Sequence, residues 1–187
     1  MPDFFLQLDR HLFHFINHDL GNTFFDSIMP HIRNPYTWIP LYLCIIGFCC
    51  YTYKKTGVII IVLLALSAGF ADFTSASIIK PLVKRVRPCN DPIVSKTDIM
   101  RVDCGPAYSF PSTHATDHFA MAVFLILVFY KKWPGVLPWT MLWAGLISFA
   151  QVYVGVHYPI DVIGGAIYGA LVGSIFFVLF KKQQPQF

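Results

Sequence analysis

Apolar residues gather along the chain in five long runs, at 36–53, 58–79, 113–130, 136–156 and 160–180. Each can cross ~30 Å of hydrocarbon as a helix, which takes about 17 to 25 residues. None alternates with the period of two that a membrane barrel requires, so the runs read as helices. Ahead of them, Phe4, Phe5, Leu8, Leu12, Phe15 and Ile16 recur at helical spacing, with Asp3, Gln7, Asp9 and Arg10 between. That pattern suits a helix lying in the membrane interface, and equally one packed against the bundle. The predicted fold is all-α: an integral membrane helical bundle of about five spanning helices preceded by an N-terminal interfacial helix. It forms one domain over 1–187, with an interfacial segment at 1–35 and an outer loop at 80–112. A sixth span within 4–29 is the topological alternative.

Composition agrees. Only 13% of the 187 residues are charged, about half the share of a soluble domain. The richness in Phe, Tyr and β-branched residues excludes disorder. Lysine pairs follow alternate spans at Lys54–Lys55, Lys131–Lys132 and Lys181–Lys182, which marks that side as cytoplasmic. The outer loop and the N-terminus then face outward, the C-terminus inward. Residues 1–35 lack the basic start, apolar core and cleavage site of a signal peptide. All ten acids are aspartates, and only Asp72 lies away from an outer segment or span end. The net charge of +4 comes from paired, scattered lysines, not the basic stripe of a nucleic-acid binder. Yet Lys80, Lys84, Arg85, Arg87, Lys96 and Arg101 crowd the disfavoured outer side, which calls for a local reason such as an anionic ligand.

Cys89 and Cys104 share the outer loop. An oxidising exterior predicts a disulfide, worth about 3 kcal/mol by chain entropy, with two free thiols as the alternative. Asp91, Asp98 and Asp103 in that loop read as a solvated surface, with a calcium site as the outside alternative, and Asp72 as a buried, paired or protonated packing residue, with a proton relay as the sharper alternative.

Three polar groups fall at the outer ends of the spans. In Lys80-Pro-Leu-Val-Lys-Arg-Val-Arg87-Pro88, a helical extension would put Lys80 and Arg87 on one face, where two cations suit a phosphate. The bland reading is snorkelling at a span end. In Pro111-Ser112-Thr113-His114, Ser112 or Thr113 can cap a helix whose free N–H groups favour an anion. In His157-Tyr-Pro-Ile-Asp161, the aspartate can fix the imidazole tautomer and leave the other nitrogen nucleophilic.

In order and spacing the three groups resemble the membrane-integrated type-2 phosphatidic acid phosphatase superfamily, whose pattern is K-x6-R-P, P-S-G-H and S-R-x5-H-x3-D. The resemblance implies a lipid phosphatase in which His157, oriented by Asp161, attacks phosphorus and forms a phosphohistidine. It makes His114 the proton donor to the leaving lipid oxygen. Lys80, Arg87, Ser112 and Thr113 hold the phosphate, with neither metal nor cofactor. The substrate is a lipid phosphate in the bilayer: undecaprenyl pyrophosphate, phosphatidylglycerol phosphate, phosphatidic acid or lipid A. The setting implied is a bacterial inner membrane with the site facing the periplasm.

Two positions depart from the pattern. Thr113 replaces a glycine, and Ala150-Gln151 replaces Ser-Arg. Gln151 takes the place of a phosphate-binding arginine but supplies no charge, a loss of a few kcal/mol in transition-state stabilisation. Lys84, Arg85 or Arg101 compensates, or the substrate needs less charge, or the chain is an impaired, lipid-phosphate-binding relative. Lipid-to-lipid phosphotransfer is the enzymatic alternative.

Overall fold

The computed structural model describes residues 3–106 and 108–187; residues 1, 2 and 107 of the predicted domain lie outside these. Among the described residues every regular element is a helix. Helix α1 (Asp3–His14) continues into a π turn (Phe15–Asp19), and α2 (Thr23–Ile32) follows a break. Asn22 caps α2 by accepting the Phe25 N–H at 2.9 Å. Helix α1 is 12 residues long and α2 is 10, and the break between them means that no single helix runs through 4–29.

Helix α3 (Ile39–Phe73) folds back on itself at Lys54, whose φ is +49°. Its two arms approach so closely that a Cβ on Gly57 would stand 1.9 Å from the Cys49 carbonyl oxygen, so the turn requires glycine there. A π turn (Thr74–Ile79) leads into the short α4 (Lys80–Val83). Helices α5 (Thr113–Phe129), α6 (Val136–Tyr153) and α7 (Pro159–Gln183) complete the bundle, each within a few residues of a predicted run.

Helix α5 is central and packs on α3, α6 and α7. Gly165, Gly169 and Gly173, one turn apart, let α7 press its backbone onto α5: a Cβ at 169 would lie 2.2 Å from the Thr116 carbonyl oxygen. Exposed Leu43, Leu66, Trp139, Ile163 and Ile167 make the outer faces apolar, as a lipid-solvated protein requires. The ends bearing the lysine pairs meet at one side, where Lys132 lies over the rings of Phe187 and Tyr53 and Thr56 bonds Gln184. Helix α1 turns Asp9, Phe13 and Asn17 inward and leaves Phe4, Leu8, Leu12 and Phe15 outward, so it both packs on the bundle and presents an apolar face.

Candidate active site

A cavity of about 390 Å³ opens at the end of the bundle away from the lysine pairs. Lys80, Arg87, Thr113, His114, Gln151 and His157 line it, so all three polar groups of the sequence converge. Lys80 opens α4 and is buried. Arg87 does not arrive by helical periodicity, as the spacing predicted. The helix stops at Val83 because Lys84 turns left-handed (φ +54°), and the chain to Arg87 is irregular. Arg87 is aimed instead by its own loop, donating from Nη1 to the Val156 carbonyl at 3.2 Å. The predicted Cys89–Cys104 disulfide is formed and ties that loop beside Gly105, which lies against the guanidinium.

Ser112 is the N-cap of α5 by conformation, but its hydroxyl makes no capping bond and is buried without a partner. Its N–H donates to the Asp161 carbonyl at 2.9 Å, and Ser112 does not line the cavity. The next three N–H groups, of Thr113, His114 and Ala115, have no helical acceptor because the first helical bond is Thr116 N–H to Ser112. That leaves the positive end of α5 at the cavity wall. His118 is fully engaged. Its Nδ1 lies 2.7 Å from the His114 carbonyl, so it carries the proton there, and Nε2 faces the Tyr42 hydroxyl at 3.3 Å. Of the two histidines on α5, His114 is therefore the one free for chemistry.

His157 is buried just before α7, where burial pushes its imidazole down to about 4 against the pull of Asp161. It is neutral at pH 7, the form that can attack. Asp161 Oδ2 stands 3.6 Å from His157 Nδ1, longer than a hydrogen bond, and accepts the Tyr158 N–H at 2.9 Å. Asp161 Oδ1 accepts from Arg85 at 2.6 Å. Arg85 also pairs with buried Asp9 of α1 and lies over the Tyr158 ring, 4.3 Å from its centre. Asp9 in turn accepts the Ile160 N–H at 2.9 Å. A buried chain, Asp9–Arg85–Asp161, thus braces the histidine from behind.

Gln151 is fully buried, and both its amide nitrogen and oxygen lack a partner. The three cations predicted to compensate for it are elsewhere: Lys84 is exposed, Arg85 is in the brace, and Arg101 pairs with Asp26. Arg33, just past α2, does line the cavity. No motif marks it. Asp72 is not buried as predicted but exposed, and it lines this cavity together with Asp117.

Both aspartates, with Pro35 and His118, also line a second cavity of about 460 Å³. Ile45, Ile46, Ile61, Leu64 and Met121 make that cavity apolar, and it runs between the arms of α3 and helices α5 and α6. A polar pocket therefore adjoins an apolar groove, the shape of a phosphate joined to hydrocarbon.

Of the outer-loop acids, Asp103 is exposed as predicted, but Asp91 and Asp98 are not the solvated surface predicted for them. Asp91 accepts from Arg10 and Tyr158 at 2.9 Å each. Asp98 buries both oxygens without a partner beside Gly155, and burial pushes its carboxyl up to about 7. Among the described residues one group, His14, His18 and Asp19, converges at metal-ligand spacing, and it lies outside the cavity lining.

Fold and sequence kinship together define a membrane-embedded lipid phosphatase. Residues 56–185 match the PAP2 superfamily, to which the chain belongs. It is 34% identical over 185 residues to a lipid A 4'-phosphatase of Bacteroides thetaiotaomicron, covering 97% of this chain and 81% of that one. An undecaprenyl-diphosphatase of Sulfolobus acidocaldarius is 30% identical over 140 residues, 75% of this chain and 62% of that one. The crystal structure of a PAP2-type phosphatidylglycerolphosphate phosphatase from Bacillus subtilis superposes with a TM-score of 0.73 at 19% identity, over 100% of this chain and 90% of that one. Aquifex aeolicus LpxE superposes at 0.67 with 22% identity, over 91% and 95%.

Proposed function

We propose that this single membrane-embedded domain hydrolyses a lipid phosphate through a phosphohistidine on His157, and that the 4'-phosphate of lipid A is its substrate. One observation carries the chemistry. A buried, neutral imidazole with a carboxylate behind it faces a cavity that also holds Lys80, Arg87 and the start of α5. His157 Nε2 attacks phosphorus as the lipid P–O bond breaks, and His114 delivers its proton to the departing oxygen. Water then attacks the phosphohistidine, the P–N bond breaks, and the water proton returns to His114. Asp161 closes its 3.6 Å gap to the ring as positive charge develops there. Lys80, Arg87, Thr113 and Gln151 stabilise the phosphoryl oxygens, and fixed cations supply the electrostatics that a metal would. The Ser112 backbone contributes by fixing the start of α5 to Asp161.

The choice of lipid is supported by the lipid A 4'-phosphatase of Bacteroides thetaiotaomicron, which this chain matches over nearly its full length. It is also supported by the apolar groove, which can take the acyl chains. The lysine pairs support an inner-membrane setting with the cavity on the periplasmic side and the C-terminus in the cytoplasm. The test is phosphate release in detergent with chelator present, from lipid A, undecaprenyl pyrophosphate, phosphatidylglycerol phosphate and phosphatidic acid. Release from lipid A should dominate and should vanish in His157→Ala. A label trapped on protein under alkaline quench and lost in acid identifies the phosphohistidine. Release that survives His157→Ala refutes the mechanism, and preference for a different lipid refutes the substrate.

A further inference from the structure

We infer that Arg33, contributed by the N-terminal segment, is a direct ligand of the phosphate and supplies the positive charge that Gln151 lacks. This rests on reading the cavity as the phosphate site. Arg33 lines that cavity with Lys80, Arg87, Gln151 and His157, and it also lines a smaller adjoining cavity of about 300 Å³ that shares His114. Arg87 and His114 line the same cavity as Arg33. Among the described residues no carboxylate pairs with it, and its Nε is buried without an acceptor. A guanidinium held that way costs free energy unless something anionic completes it.

The surrounding structure fixes where Arg33 points. Met29, one turn earlier on α2, is buried against Ala150, Tyr153, Val154 and Val156, the stretch of α6 that flanks Gln151. Asp26 accepts the Tyr153 hydroxyl at 2.6 Å and pairs with Arg101. Beyond α2, Thr37 and the Trp38 indole N–H donate at 2.8 Å to the carbonyls of His31 and Ile32, closing the turn that carries Arg33. Helix α2 is therefore docked on α6 so that Arg33 and Gln151 reach one cavity from different elements. Gln151 is compatible with such a neighbour. Its amide can donate to the anion without setting a second guanidinium beside Arg33. A phosphate monoester dianion would then meet three cations: Lys80, Arg87 and Arg33.

The test uses Arg33→Ala, Arg33→Lys and Gln151→Arg, singly and with Arg33→Ala and Gln151→Arg combined. Each is measured for phosphate release from lipid A and for inorganic phosphate binding by thermal shift. Arg33→Ala should lower kcat/KM at least 100-fold and weaken inorganic phosphate binding at least tenfold. Arg33→Lys should retain an intermediate activity, since it keeps the charge and loses the fork. Adding Gln151→Arg to Arg33→Ala should recover tenfold or more, by restoring a cation to the same ligand. Arg33→Ala within threefold of the parent in activity and phosphate affinity overturns the assignment. So does lost activity with unchanged phosphate affinity, which would make Arg33 structural. No recovery in the double variant would overturn the claim that the two positions face one ligand. If the parent binds phosphate through Arg33 but releases none from any lipid, the hydrolase reading fails and this one stands. If Arg33→Ala does not fold, Arg33→Gln and Arg33→Lys carry the same comparison.

Discussion

Replacing Arg85 with methionine tests whether His157 is held from behind. The guanidinium bridges Asp9 and Asp161, whose side chains are 0% exposed, and is itself 15% exposed. Methionine keeps much of the length and removes the charge, leaving two buried carboxylates without their cation. Breaking a buried pair from one side costs about 3 to 5 kcal/mol. Two stranded acids and the lost contact with the Tyr158 ring place Arg85→Met toward the upper end. In a chain of this size each kcal/mol moves a midpoint by about 2 to 4 °C, so a fall of about 6 to 20 °C is expected. Adding Asp9→Asn removes one stranded charge while keeping an acceptor for the Ile160 N–H, and should recover part of that fall. Arg85 does not line the cavity, so KM should change little, while kcat falls at least tenfold as Asp161 loses its anchor. The assay is thermal unfolding in detergent with phosphate release on the same samples. A midpoint within about 2 °C of the parent and kcat within twofold would refute the brace.

Three further outcomes are expected. Asp98 has a folded-state carboxyl near 7 and an unfolded one near 3.8, so the folded form binds the extra proton between these values. Its contribution is therefore most favourable in acid, is lost as pH rises from about 4 to 7, and stays flat above. Asp98→Asn should raise the melting midpoint more at pH 8 than at pH 5, and an equal gain at both would contradict the burial argument. Gly69 lines the apolar groove, and a Cβ there would meet nothing within 4 Å, so Gly69→Trp should fold normally and obstruct the groove. It should raise KM for lipid A while leaving cleavage of a water-soluble aryl phosphate unchanged; equal effects on both would exclude the groove as the acyl site. Cys89→Ser with Cys104→Ser should cost about 3 kcal/mol and lower activity by loosening the loop that aims Arg87, whereas unchanged activity would mean that the disulfide is not needed to position it.

Much of this molecule was legible because two of its signals are local. The apolar runs became α3, α5, α6 and α7 with small shifts at their ends, since span length is set by the bilayer and not by tertiary detail. Most residues of the three motifs met because each motif lies at the same end of the bundle, and the loop cysteines bonded as predicted. What failed was geometry between segments. Lys80 and Arg87 were assigned to one helical face, but the left-handed turn at Lys84 ends the helix, and nothing in residues 80–88 announces it. Asp91 and Asp98 read as solvated because a sequence does not show that α1 reaches over the loop to Asp91 or that Asp98 folds under Gly155. Gly165, Gly169 and Gly173 did carry a readable signal, small residues one turn apart in an apolar helix, and it points to the α5 contact they make.

Arg33 and the brace share one physical origin. Spanning helices are fixed by apolar packing at bilayer depth, while the proposed phosphate-handling groups stand at the bundle's end, where only small apolar clusters around Met29 and Phe13 hold the N-terminal segment. Polar ties supplement them. Those of the N-terminal segment end on the motif stretches or on the loop that joins them: Asp9 on Arg85 and Ile160, Arg10 on Asp91, Asn17 on Ile99 and Tyr153, and Asp26 on Tyr153 and Arg101. Each tie crosses at least 70 positions of sequence, so none could be read from local pattern. The segment therefore behaves as a polar bracket across the outer end of the bundle. Once docked, its outward face needs only to be apolar for the lipid interface, which Phe4, Leu8, Leu12 and Phe15 supply. The same docking carries Arg33 to the one wall of the cavity where α6 offers a neutral side chain.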